Sequence, residues 1–208
     1  VAACHNLKAC DIIILAETRL HSGDLDDDYR IPGFQQMFRN DQEQININRP
    51  SHGLIMYVKD GIQVLDQGRS ISTFGFEAMS VCVLRPGFNV PTQLMGVYAS
   101  PQLTWENLEK NMVHLFQMND IINTKTIIMG DFNMKSIARV QHQRYNERLE
   151  KWMLDKFQKK QFVKQSTTKE GSILDLCFGD NIHTVTTIWN HWSDHKIVGV
   201  GFNDIQLD

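Results

Sequence analysis

The sequence predicts an α/β chain in which two β-sheets pack together under a covering of helices. Three observations carry this. Short apolar runs of strand length recur from one end of the chain to the other, some joined by hairpin turns. Helical periodicity is confined to two stretches, near residues 104–122 and 145–159. No Gly/Ser/Pro-rich linker, repeat or low-complexity tract divides the 208 residues, so one domain over residues 1–208 is expected.

The elements follow in order. Ile12–Ala16 is aliphatic and ends in polar residues, the pattern of a buried strand. Asp24–Arg30 reads as an acidic loop closed by Ile31-Pro32-Gly33. Phe34–Phe38 and Gly53–Val58 are strands, and Asp60-Gly61 is a turn. Ala78–Leu84 and Thr92–Tyr98 flank Arg85-Pro86-Gly87 as a hairpin. Thr104 caps a helix running to about Ile122, with Leu108, Met112, Leu115, Phe116 and Ile122 on its apolar side. Thr126–Met129 is a second buried strand, ending in Gly130-Asp131-Phe132-Asn133. A helix over about Tyr145–Lys159 turns Leu149, Trp152, Met153 and Phe157 inward and its Lys and Arg outward. Ile173–Phe178, Thr184–Ile188 and Ile197–Phe202 finish the chain as strands.

Composition narrows the function classes. Apolar residues make up 42% and charged residues 22%, which is ordinary globular usage and argues against disorder. The longest aliphatic run, Ile12 to Leu15, is far shorter than a bilayer span, and no signal-peptide pattern opens the sequence. The four cysteines have neither C-x-x-C nor zinc spacing, so free thiols in a reducing, intracellular compartment are expected. The net charge of −3 excludes a wholly basic nucleic-acid binder. Yet Lys135–Lys164 holds nine Lys and Arg against three acids, which fits either a phosphate-binding flank or a solvated helix face.

Four apolar strands stop at acids, amides or histidine: at Glu17, at Asp131 and Asn133, at Asp175, and at Asp194-His195. One such end is commonplace. Four can converge on one rim of a sheet, where carboxylates supply hard ligands for Mg²⁺ and a histidine supplies a proton or a hydrogen bond to phosphate. Those are the parts of metal-assisted phosphodiester cleavage.

Seven segments in order carry a resemblance: DIIILAETRL (residues 11–20), YRIPGF (29–34), HGLIMYVK (52–59), VYASP (97–101), GDFN (130–133), TTKEGSILD (167–175) and SDH (193–195). Together they resemble the endonuclease/exonuclease/phosphatase superfamily, in particular the apurinic-endonuclease-like domain of LINE-type retrotransposons and related mobile elements. The resemblance implies a DNase I-like, four-layer α/β sandwich with two mixed β-sheets flanked by helices. It implies Glu17 as metal ligand, Asp131 positioning or deprotonating the attacking water, and Asn133 as its partner on phosphate or metal. Tyr98 would bond the scissile phosphate, Asp175 would orient His195, and His195 would donate to a non-bridging oxygen. Asp194 would sit near metal and water, and a hydroxyl of Thr167 or Thr168 would touch substrate. Without the resemblance, Tyr98 reads as a core aromatic, Glu17 as a strand-end carboxylate, and Asp131 with Asn133 as an Asx-turn. Gly130 would allow a tight turn. His52 is given no chemical role.

The expected function is Mg²⁺-dependent nicking of DNA to leave a 3′-hydroxyl, with Mn²⁺ as an alternative ion, Arg139 and Arg144 on the DNA path, and no membrane partner. A mobile-element polyprotein is the expected parent. The family's first strand, which carries an asparagine, has no counterpart before Asp11, so an N-terminally truncated domain is expected. The alternatives are a phosphatase or phosphodiesterase for a small or lipid phosphate, and a degenerate, non-catalytic domain of the same fold.

Overall fold

The computed structural model describes residues 7, 9–34, 36–41, 53–119, 125–133 and 139–202, with the backbone alone at 36 and 139–146. Its strands in chain order are β1 (Ile12–Ala16), β2 (Gln36–Asn40), β3 (Leu54–Val58), β4 (Gln63–Val64), β5 (Arg69–Thr73), β6 (Phe76–Leu84) and β7 (Thr92–Ala99). Helix α1 (Trp105–Met118) and β8 (Lys125–Asp131) follow, then helix α2 (Arg139–Phe157), β9 (Lys160–Gln161), β10 (Asp175–Gly179), β11 (Ile182–Ile188) and β12 (Ile197–Phe202). The acidic loop contains a 3-10 turn over Asp26–Tyr29.

A seven-stranded sheet runs β4-β6-β7-β8-β10-β9, with β5 also on β6. It is mixed because β7 and β8 are parallel. Between them runs the crossover that contains α1. A three-stranded sheet (β1-β3-β2) and the β11-β12 pair are antiparallel.

Alternation of side chains along the strands divides the core into layers. On one face of the large sheet, Phe76, Ala78, Met95, Val97, Ile128, Leu176 and Phe178 pack against Leu108, Met112 and Leu115 of α1 and Leu149 and Met153 of α2. On the other face, Met79, Val81, Leu94, Tyr98, Ile127 and Cys177 meet Leu54, Met56 and Val58 of β3, with Val198 and Val200 of β12 beside them. A third cluster, with Ile13, Leu20, Ile31, Phe34, Ile55 and Tyr57, covers the outer side of the smaller sheet. These layers are the expected α/β sandwich.

Local chemistry explains the helices. Thr104 accepts the Asn107 N–H at 3.3 Å as the N-cap of α1. One carboxylate, Glu109, accepts the indole N–H groups of Trp105 at 3.1 Å and Trp152 at 3.0 Å, and so ties α1 to α2. The two indoles meet edge to face at 6.0 Å.

Four expectations need adjustment. The second helix starts at Arg139 rather than near Tyr145, because its polar first turns lack the apolar stripe that marks the rest. α1 ends at Met118, and Ile122 lies outside the described residues. β1 is not a buried strand: only Ile13 is buried, since β1 pairs with β3 alone among the described residues. Gly130 makes no tight turn. It lies within β8, where a Cβ would fall 1.8 Å from the Val97 carbonyl oxygen, so glycine is required by a close backbone approach.

Candidate active site

Strand register builds the site. Glu77 on β6 lies opposite Tyr98 on β7, Tyr98 opposite Asp131 on β8, and Asp131 opposite Asp175 on β10. The four residues form one row across four strands, on the face turned toward the smaller sheet. The row sits at the second-to-last residue of β7, the last of β8 and the first of β10, so it lines one rim of the sheet.

Asp131 is buried, and burial first, then the charge of Asp175, pushes its carboxyl up to about 7. Asn133 holds it from both sides. The Asn133 backbone N–H donates to Oδ1 at 2.9 Å and its Nδ2 donates to Oδ2 at 2.8 Å. This is the Asx-turn foreseen for Asp131, and the left-handed backbone of Asn133 (φ 44°) makes the double contact. One amide hydrogen of Asn133 is thus spent on Asp131 rather than on phosphate.

His195 Nδ1 lies 2.9 Å from Asp175 Oδ2. That hydrogen bond is the main reason the imidazole is pushed up to about 9, with Asp131 and Asp194 adding smaller contributions. Near neutrality the ring is therefore charged, with Nδ1–H on Asp175 and Nε2–H available as a donor. Thr167 and Thr168 build the support beneath this pair. Thr167 is fully buried, and its hydroxyl accepts the backbone N–H groups of Leu174 at 2.9 Å and Asp175 at 3.1 Å. Thr168 accepts Ser172 N–H at 3.0 Å and forms a β-bridge with His195. The expected substrate contact therefore needs correcting for Thr167: its side chain braces Asp175 from inside the protein.

Glu17 follows β1 and is exposed, with left-handed backbone (φ 55°). Tyr98 is 1% exposed, a core aromatic whose ring packs between the sheets while its hydroxyl is hydrogen-bonded to Glu17. Burial, then that bond, raises the phenol well above its ordinary value, so it stays protonated and donates to the carboxylate. Asp194 is exposed beside His195, and its backbone carbonyl accepts Lys169 N–H at 3.0 Å. The side chains of Arg139 and Arg144, and the whole of His52, lie outside the described residues.

Sequence reasoning missed Glu77. It is 2% exposed, its carboxyl is pushed up to about 7 by burial, and Oε2 accepts Gly53 N–H at 2.7 Å. The Gly53 carbonyl in turn accepts Thr18 N–H at 3.2 Å. Gly53 is in the left-handed region (φ 110°), where a Cβ would collide with Thr18 Oγ1 at 2.4 Å. A chain of contacts thus runs from Glu77 through Gly53 to the residue after Glu17. The signal was a lone acid at an inward position of a mostly apolar strand.

The carboxylates suit a hard divalent cation, whereas His195, charged and bonded to Asp175, is a hydrogen-bond donor beside it. Ligand atoms of Asp131, Asp175 and His195 lie within 4.8 Å of one another, and Glu17 is close enough for its charge to raise Asp131. A cation beside Asp131 would offset the cost of ionising that buried carboxylate. The expected ligands Glu17 and Asp194 are not in this compact group, in which Asp175 and His195 are already bonded to each other.

Comparisons with known proteins bear on the fold that carries this site. The zebrafish TDP2 complexed with single-strand DNA product has a similar structure, with TM-score 0.62 and 14% identity over 96% of this chain and 88% of that one. An endonuclease/exonuclease/phosphatase family protein from Bacteroides thetaiotaomicron gives TM-score 0.62 and 14% identity over 96% and 85%. The human Nocturnin catalytic domain gives 0.55 and 15% over 92% and 81%. At these identities the likeness shows the fold. None of the curated proteins matches the sequence significantly. The family model described as endonuclease-reverse transcriptase matches residues 92–199, more than half of the chain. With that match and the fold, the chain belongs to the endonuclease-reverse transcriptase family, within the endonuclease/exonuclease/phosphatase superfamily of metal-dependent phosphoesterases.

Proposed function

We propose that this protein is a Mg²⁺-dependent endonuclease that nicks DNA to leave a 3′-hydroxyl, and that it derives from a mobile element. The observation that carries the reading is the row Tyr98–Asp131–Asp175 closed by His195, which pairs a base with a charged donor at one rim. The cation, held by Glu17 and the acids of the rim, would supply charge for the developing oxyanion and leaving oxygen. Asp131, tuned to about 7, takes the proton of the attacking water. Asn133 fixes both carboxylate oxygens so that the lone pair facing the water is constant. His195 Nε2–H donates to a non-bridging phosphate oxygen while Asp175 keeps the ring charged and oriented. Tyr98 holds Glu17 in place through its hydroxyl.

A polymeric substrate is favoured by the basic stretch that follows Asn133, where Arg139 and Arg144 lie on the first turns of α2. Supercoiled plasmid tests the reading. Nicked circles are expected with Mg²⁺, none with EDTA, and the nick should be extended directly by a DNA polymerase because its 3′ end is a free hydroxyl. Hydrolysis of p-nitrophenyl phosphate without any plasmid nicking would instead assign the site to small phosphate compounds.

A further inference from the structure

The loop between β11 and β12 exposes two tryptophans beside the catalytic histidine. Trp189 is 54% and Trp192 51% exposed, and Trp192 is only three residues from His195. Neither the core nor the acid–base chemistry uses them. Exposed indoles on a folded surface indicate a contact surface, since their burial would be favourable. The loop that carries them is well fixed. Asn190 Oδ1 accepts the N–H groups of Trp192 at 3.0 Å and Ser193 at 2.9 Å, and its Nδ2 donates to the His195 carbonyl at 2.7 Å. Movement of the aromatic loop is thereby coupled to the position of His195. Lys196 Nζ lies 4.5 Å from the Trp189 ring centroid and 2.9 Å from Ser166 Oγ, so a cation flanks the aromatic surface.

We propose that Trp189 and Trp192 are a stacking platform for an unpaired base next to the scissile phosphate. The inference rests on the nuclease reading above and deepens it: the preferred substrate presents a splayed or single-stranded base on the side of the break nearest His195. Indole faces accept any base by stacking, and Lys196 supplies attraction for the adjoining phosphate. Two exposed indoles on one loop, with a cation against one of them, fit a nucleobase attached to a phosphate.

Binding of two fluorescent oligonucleotides of equal length tests it, one an oligothymidylate and the other carrying the same sugar-phosphate chain without bases, both in EDTA so that no cleavage intervenes. The wild-type chain should prefer the thymidylate roughly tenfold, the size of one stacked base. Trp192→Ala and Trp189→Ala should each reduce the preference, and the double variant should abolish it with an unchanged melting temperature. Trp192→Phe, which keeps a ring, should retain most of it. Equal affinity of the wild type for both oligonucleotides, or an undiminished preference in the double variant, would overturn the platform. Tryptophan-dependent binding to phosphatidylserine vesicles without a base preference would overturn it in favour of a membrane surface. Plasmid nicking by the same wild-type preparation separates the two levels. Nicking without base preference removes only the platform, whereas a folded protein that nicks nothing removes the nuclease reading and the platform with it.

Discussion

Asp131 and His195 titrate on opposite sides of the working range, and their order sets the pH profile. The base must be ionised and the donor protonated. In the cation-free protein Asp131 loses its proton near 7 and His195 near 9; a cation beside Asp131 favours the ionised carboxylate, so the acid limb of activity should lie below 7 and the alkaline limb should follow His195. Because the bond to Asp175 is the main cause of the raised histidine value, Asp175→Asn should move the alkaline limb to lower pH in a kcat/KM profile. Asp131 also makes a stability statement. Its folded value is above the ordinary 3.8, so the folded state binds the proton more tightly, and stability is lost as pH rises from about 4 to about 7. Asp131→Asn removes that titration but sets its amide NH2 against one of the two Asn133 donors, so in denaturant unfolding the cation-free variant should lose the fall in stability between about pH 4 and pH 7, and it should lose activity. Glu77 acts through others. Glu77→Gln keeps an acceptor for Gly53 N–H and should bind Mg²⁺ nearly as the wild type does, whereas Glu77→Leu should weaken Mg²⁺ binding about tenfold by titration calorimetry, because the backbone after Glu17 loses its tie.

At the scale of the element, α1 and α2 are joined through Glu109, which serves two indole N–H groups at once. Glu109→Ala should cost about 1–3 kcal/mol of stability in a chemical-denaturation curve and leave the pH profile of cleavage unchanged, since the helices lie on the face away from the catalytic row. The elements differ in how far the sequence revealed them. The β6-β7 hairpin, the Thr104 cap and the apolar stripe of Leu149 and Met153 were legible because local chemistry specifies each. β4, β5 and β9 were not, being short, mostly polar strands that exist only through pairing with β6 or β10. The candidate site divides in the same way. Asp131, Asn133, Asp175 and His195 stood at strand ends and in motifs. The braces, Glu77 and Thr167, lie where only register and burial reveal them. Thr167 and Thr168 are neighbours in a loop, and the three-dimensional turn around Ser172 distinguished their partners.

At the scale of the molecule, two layers of sheet bring together residues separated by most of the chain length. Glu17 arrives from the small sheet, Tyr98, Asp131 and Asp175 from the large one, and His195 from the start of the last strand pairing. Acids gathered this way are held together at a cost that a divalent cation offsets. Mg²⁺ should therefore raise the melting temperature, and more at pH 8 than at pH 6, because below about 7 Asp131 holds a proton that competes with the ion. Equal shifts at both pH values would place the ion away from Asp131. If the Asp131 row and His195 form one hydrolytic centre that cleaves DNA, the rate of supercoiled-plasmid nicking at saturating Mg²⁺ and pH 8 depends on Asp131, and is measured for the wild type and for Asp131→Asn prepared in parallel. The wild type should nick, and the folded variant should nick about 10²–10⁴-fold more slowly. Equal nicking by the two proteins would mean that Asp131 is not the base of this centre.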